Sequence, residues 1–190
     1  MKVTGLLLFI LAIMPLTSSA RNISDVKLEE IIKMNETAPE LILNGASLRK
    51  TYMVIDTYVG GLYLENKSDD EQVILERDEH RRMLFHVLLR KVSARKIARA
   101  LKDALVINIS KEEQKRLEPN INQFLSMFKG NFKRGEEVNI DYIPGSGTQV
   151  IIGGKNQGII PGKSFSDALL SIWVGESPVG SGFKQDILGN

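Results

Sequence analysis

The order of the periodicities constrains this chain more than any single residue does. Residues 48–64, "LRKTYMVIDTYVGGLYL", are dense in aromatic and β-branched residues and read as the heart of a sheet, interrupted only at Gly60-Gly61, where a strand bends or a neighbour comes close. Residues 26–43 fit strands better than a helix and end at an Asn44-Gly45 turn. Two short apolar runs follow at 73–75 and 83–89, with the charged segment 76–82 as a hairpin connection. From Ser93, a candidate N-cap, the spacing becomes helical: Ile97, Leu101 and Leu105 form one apolar stripe. Ser110 with Glu113 has the capping-box spacing of a second helix, which Pro119 is expected to break or kink before Ile121, Phe124 and Phe128 resume the stripe and Gly130 stops it. Val138, Ile140 and Tyr142 then alternate with polar residues, and tight turns at Pro144–Gly147 and Gly153-Gly154 predict an antiparallel meander. Ser164 caps a last long helix carrying Phe165, Leu169, Ile172 and Trp173, and a short one is predicted over 183–188. Strands, helices, strands, helix is an α+β order without βαβ alternation or repeats.

The first twenty residues read as an export signal: Lys2, the apolar run 6–15, then Ser18-Ser19-Ala20 with the small residues a signal peptidase needs. That run is shorter than the ~20 residues that span a bilayer, so the expectation is a leader over 1–20 and one exported domain over 21–190, periplasmic if the host is a Gram-negative bacterium, without stable membrane insertion. There is no cysteine, so no disulfide staples the fold and no thiol chemistry is available. Removing Lys2 leaves one fewer than the 25 Lys and Arg of the whole chain, against 23 Asp and Glu. A near-neutral chain does not suit a nucleic-acid binder. Bases do gather at Arg81, Arg82, Arg90, Lys91, Arg95, Lys96, Arg99 and Lys102, without interleaved aromatics. This reads as a solvated face in preference to an anionic-surface contact.

Several chemistries fail on their own residues. Gly158-Ile-Ile-Pro-Gly-Lys-Ser164 mimics a phosphate loop, but the motif needs glycine where Gln157 stands, and Pro161 removes a backbone N–H. His80 and His86 are the only histidines, too few for a zinc site without cysteine, and no nucleophile elbow exists. No metal or cofactor fingerprint is found.

What remains is a set of motifs: "LNGASLRK" (43–50) with "VGGLYLE" (59–65), "DYIPGSGTQV" (141–150), and "FSDALLSIWVGESPV" (165–179) closing on "ILG" (187–189). Together they resemble the chalcone isomerase-like family, in its bacterial exported branch, from about Leu41 to Gly189. The resemblance implies a large antiparallel sheet with helices packed on one face and an apolar cleft between them. Some family members cyclise chalcones; others bind fatty acids through an arginine and a tyrosine that hold the carboxylate. Arg49 matches the arginine common to both kinds. Tyr58 falls where fatty-acid binders carry tyrosine, with Thr57 one register step away. The isomerases' active-site tyrosine and asparagine fall near Ser93 and Ala100, and a further polar position falls near Ile172.

The resemblance therefore implies an exported non-enzymatic protein that holds a fatty acid or similar apolar carboxylate, with Arg49 and Tyr58 as ligand-binding residues. An arginine on the inner face of an apolar cleft offers a planar fork that fits a carboxylate. Three alternatives stay open: an isomerase or intramolecular lyase acting on an acidic or phenolic substrate with Arg49 stabilising an anion; an envelope interaction protein with a degenerate cleft; and a purely structural Arg49 that pairs with Asp56 or Glu65.

Overall fold

The computed structural model describes residues 20–52 and 54–190; the expected leader, except Ala20, lies outside the described residues, as does Met53. Strands β1 (Ala20–Ile23) and β2 (Val26–Glu29) form a hairpin. Strands β3 (Ile31–Lys33), β4 (Glu40–Thr51) and β5 (Ile55–Leu64) follow, then helix α1 (Glu71–Glu76) and strands β6 (Arg81–Val87) and β7 (Lys91–Ser93). Helices α2 (Ala94–Asn108) and α3 (Lys111–Ser126) lead to β8 (Asn131–Lys133), the meander β9 (Glu137–Ile143), β10 (Gly147–Ile152) and β11 (Lys155–Ile160), and helices α4 (Lys163–Val174) and α5 (Ser181–Leu188). Seven strands form one antiparallel sheet in the order β11-β10-β9-β6-β5-β4-β3, and β7 pairs with β8 apart from it.

Alternation along the strands builds two cores. One face of the sheet buries Leu62, Met83, Phe85, Val87, Val138 and Ile140 under the helices, which contribute Leu105, Phe124, Leu169 and Trp173. The other buries Leu41, Leu43, Val59, Tyr63 and Leu84 under the β1–β2 hairpin, through Val26 and Leu28. The helices thus cover one face, as expected, and a hairpin covers the other.

The Asn44-Gly45 step is not a turn. It is a bulge inside β4, where Leu43 pairs with Tyr63 but Gly45 already pairs with Leu62. The extra residue reverses the alternation. Leu41 and Leu43 point to the hairpin side, whereas beyond the bulge Ala46 and Leu48 take that side and Gly45, Ser47 and Arg49 turn to the helices. Asn44 holds the bulge by donating to the Ile187 carbonyl at 3.0 Å and the Ser68 carbonyl at 2.9 Å, and by accepting from the Ser68 amide. Within 48–64, β4 ends at Thr51 and β5 begins at Ile55, while Gly60-Gly61 lie inside β5. There the Phe183 ring of α5 packs so closely that a Cβ on Gly60 would meet its Cζ at 2.6 Å.

Three further expectations need correction. The run 73–75 belongs to α1, opened by Asp70, whose side chain accepts from the Gln72 and Val73 amides; the segment 77–80 after it is a connection from helix to strand. Pro119 leaves α3 unbroken, on an exposed face where Lys115, the residue whose carbonyl loses its partner, is exposed too. The cap position of α4 is Gly162 and not Ser164. Ser110 does cap α3, accepting from the Glu113 amide at 3.1 Å.

Candidate functional site

Between the helix-covered face of the sheet and α2 lies an apolar cleft with about 80 Å³ of enclosed space. Tyr58, Phe85, Val87, Val138 and Ile140 of the sheet form its floor, Ile97 and Leu101 of α2 and Trp173 of α4 its roof, and Thr57, Leu89 and Val92 part of its rim. Among the lining side chains only Thr57, Tyr58 and Trp173 carry polar atoms. The Thr57 hydroxyl shares a hydrogen bond with that of Thr51 at 2.9 Å, so its polarity is engaged within the hairpin.

An aromatic cluster fixes Tyr58. Its ring meets Phe85 edge-on at 5.2 Å between centroids and Phe183 at 5.6 Å, while Phe85 lies 4.9 Å from Trp173. Its hydroxyl accepts from Trp173 Nε1 at 3.1 Å, which leaves the phenolic proton free to be donated. Burial pushes the Tyr58 hydroxyl up to about 12; the Trp173 hydrogen bond and the charge of Arg49 pull the other way but do not offset it. Tyr58 is therefore a neutral donor at any physiological pH.

Arg49 and Tyr58 are direct partners across the β4–β5 ladder and share the helix-covered face. Arg49 is half-buried and does not line the cleft; it stands on the far side of Tyr58, toward the start of α5, where a Cβ on Gly180 would come 3.8 Å from its Cζ. Its Nη1 donates to the Lys50 carbonyl. No carboxylate among the described residues pairs with it: Asp56 lies 3.4 Å from Lys50 Nζ, and Glu65 accepts from His80. The two internal partners that would make Arg49 a scaffold residue are thus engaged elsewhere.

The other candidate positions face away from the cleft or add nothing polar to it. Ser93 occupies the N-cap position of α2 without a side-chain cap bond, Ala100 is exposed on α2, and Ile172 is fully buried within α4. The cluster of bases divides. Arg81 is 4% exposed, donating to the Ile74 carbonyl, Ser166 and Asp167, and Arg82 grips the fully buried Asp141 with two bonds of 2.6 and 2.7 Å. The bases from Arg90 onward remain at the surface. Sequence reasoning placed Trp173 on the α4 stripe but gave it no part in the site. The signal lay in its being the single tryptophan of the chain, with an N–H that needs a partner once buried. Among the described residues no group of three His, Asp or Glu is placed to hold a metal ion.

The fold has a close counterpart in a solved structure: a fatty-acid binding protein of Arabidopsis thaliana superposes with a TM-score of 0.70 at 16% identity, over 90% of this chain and 96% of that one. At that identity the likeness is one of fold. No curated protein matches the sequence. The chalcone isomerase-like family matches over residues 20–189, nearly the whole of the described fold, and this chain belongs to it.

Proposed function

We propose that the protein is an exported, non-enzymatic binder of a long-chain fatty acid or similar apolar carboxylate, with the hydrocarbon in the cleft and the head group at Tyr58 and Arg49. The observation that carries this reading is the pairing of a half-buried arginine that has no ion-pair partner among the described residues with a neutral tyrosine hydroxyl, at the edge of an otherwise apolar cleft. A half-buried guanidinium gains from an anion, and a carboxylate also accepts the Tyr58 proton. Because Arg49 stands beyond Tyr58, the head group lies at the Tyr58 edge and the chain runs back under α2. Each methylene buried contributes about 0.8 kcal/mol, so the chain supplies affinity and the head group supplies selection. The Arabidopsis thaliana neighbour, named as a fatty-acid binding protein, supports the same assignment.

What weighs against an isomerase is that positions 93, 100 and 172 bring no hydrogen-bonding group to the cleft, leaving Arg49 without the set that would orient a phenolate. Native mass spectrometry of protein purified without detergent tests the proposal. It should retain a long-chain acid, or take one up when offered; protein that stays empty in excess acid overturns the reading. Export is tested separately by N-terminal sequencing, which should begin at Arg21; finding Met1 in the exported fraction contradicts it.

A further inference from the structure

One end of the sheet gathers features that neither the core nor the carboxylate site uses. The β4–β5 hairpin tip is there, and so are the connection after β6 and the turn before β9, because Tyr58 pairs with Val87, His86 pairs with Glu137, and the Gly135 amide donates to the Val87 carbonyl at 2.9 Å. The tip reads Thr-Tyr-Met-Val-Ile, with Tyr52 86%, Val54 78% and Ile55 46% exposed. These are three of the six large hydrophobic residues exposed among the described residues, and they are neighbours. Tyr52 also holds a φ of 52°, a left-handed conformation costly for an aromatic residue.

At this end of the sheet bases outnumber acids. Six of the residues 90–102 are Lys or Arg and none is acidic; three more bases lie in 129–134, again without an acid. The two segments are joined where β7 pairs with β8, which sets Lys91 directly opposite Lys133, a like-charge pair that weakens a ladder. Arg95, Lys96 and Arg99 line a groove with Gly130 and Asn131 beside that pair. None of the nine bases forms an ion pair among the described residues, whereas nine of the other fifteen do. The acids at this end are occupied: Glu136 accepts from the Lys133 amide, Glu137 lies 3.5 Å from His86, and Asp56 faces Lys50. Val92 and Phe132, which line the cleft, belong to the same basic segments, and Leu89, also in the lining, directly precedes the first.

We infer that this end of the molecule is a docking face for an anionic lipid bilayer. Tyr52, Val54 and Ile55 enter the interfacial region, the bases without an ion-pair partner among the described residues meet the lipid phosphates, and the cleft rim is held against the membrane. An exposed apolar tip with bases that lack an ion-pair partner among the described residues at the same end of the sheet matches a surface that is anionic outside and apolar beneath, which a nucleic acid or an acidic protein is not. The contact proposed is peripheral, and no described helix is long and apolar enough to cross a membrane. The purpose, passage of an apolar acid between bilayer and cleft, rests on the proposed function; the docking rests on the surface alone.

Co-sedimentation with vesicles decides it, using the full chain and two variants expressed identically so that the N-terminal segment is common to all. The first variant is Tyr52→Ser with Val54→Ser, the second Lys91→Gln with Arg95→Gln, Lys96→Gln and Arg99→Gln. Wild type should bind phosphatidylglycerol-containing vesicles, bind pure phosphatidylcholine at least about tenfold more weakly, and release as salt rises from about 0.1 to about 0.5 M. Each variant should lose about tenfold or more on the anionic vesicles while binding oleate in solution as wild type does. Loss of oleate binding with vesicle binding intact would strike the carboxylate reading instead. Wild-type indifference to lipid charge, or a tip variant that binds the anionic vesicles as tightly as wild type, overturns the docking face. Heparin binding that matches vesicle binding and is equally indifferent to the tip overturns it in favour of a general polyanion surface.

Discussion

A single methyl group at residue 45 should loosen the helix that backs the proposed carboxylate site. A Cβ built on Gly45 lies 2.1 Å from the Asp186 carbonyl oxygen and 2.7 Å from the carbonyl carbon and oxygen of Ile187. These are main-chain atoms of α5, whose Ile187 and Leu188 are buried in the core, so they cannot swing aside as a side-chain tip would. Forcing extra methyl groups into packed regions costs about 1–3 kcal/mol, and a clash with main chain belongs at the upper end. Moving α5 also strains the bond from Asn44 to the Ile187 carbonyl and that from Ser47 to Asp186, each contributing about 0.5–1.5 kcal/mol. Alanine recovers about 0.4–1 kcal/mol through lower unfolded-state entropy. The net loss for Gly45→Ala is about 3 kcal/mol, or roughly 6–12 °C in melting temperature for a chain of this size. Because α5 also carries Phe183 against Tyr58 and begins beside Arg49, affinity for the acid should fall with it. Gly182→Ala is the control: a Cβ there meets nothing within 4 Å, so the change should stabilise α5 by about 0.5 kcal/mol. Calorimetry that finds Gly45→Ala melting within about 1 °C of wild type would refute the docking of α5 onto the bulge.

Arg82→Ala should cost about 3–5 kcal/mol in urea denaturation, because it leaves the fully buried Asp141 without its counter-charge; a loss under about 1 kcal/mol would show that the pair is solvated. Tyr58, Tyr63 and Tyr142 all have hydroxyls pushed up to about 12, each chiefly by burial, so ultraviolet titration should show all three ionising only near that pH while the fold persists. For a group whose folded value is raised, the stabilisation is full below the unfolded value near 10 and is lost as pH rises toward 12, so unfolding free energy should drop across that interval and stay level between 7 and 9 as far as these groups are concerned.

Much of the architecture could be read from local signals. The meander β9–β10–β11 announced itself through alternation and through glycines at the turns, and α3 through Ser110 and Glu113. Arg49 and Tyr58 came from motif resemblance, and the sheet register places them side by side. What could not be read was which face Arg49 takes. Strict alternation from Leu41 would have sent residue 49 to the hairpin side; one unpaired residue at the bulge reverses it, and that residue is held there by Asn44 bonds to positions 68 and 187, far away in sequence. The run 73–75 was misread because three apolar residues carry no period of their own, and only the cap at Asp70 tells helix from strand. The basic cluster was misread as one surface because burial of Arg81 and Arg82 depends on Asp167 and Asp141, which come from α4 and β9.

The central claim is that Arg49 grips a carboxylate, and the most direct test is a paired titration of a long-chain acid and the alcohol of equal length against wild type and Arg49→Lys. Trp173, the single tryptophan, lines the cleft and bonds Tyr58, so its fluorescence reports occupancy in both proteins. Lysine keeps the charge but loses the planar fork, so the acid should bind Arg49→Lys about tenfold more weakly, the equivalent of roughly 1.4 kcal/mol, while the alcohol binds both proteins alike and more weakly than the acid binds wild type. Equal affinity of the acid for wild type and Arg49→Lys would contradict the carboxylate grip.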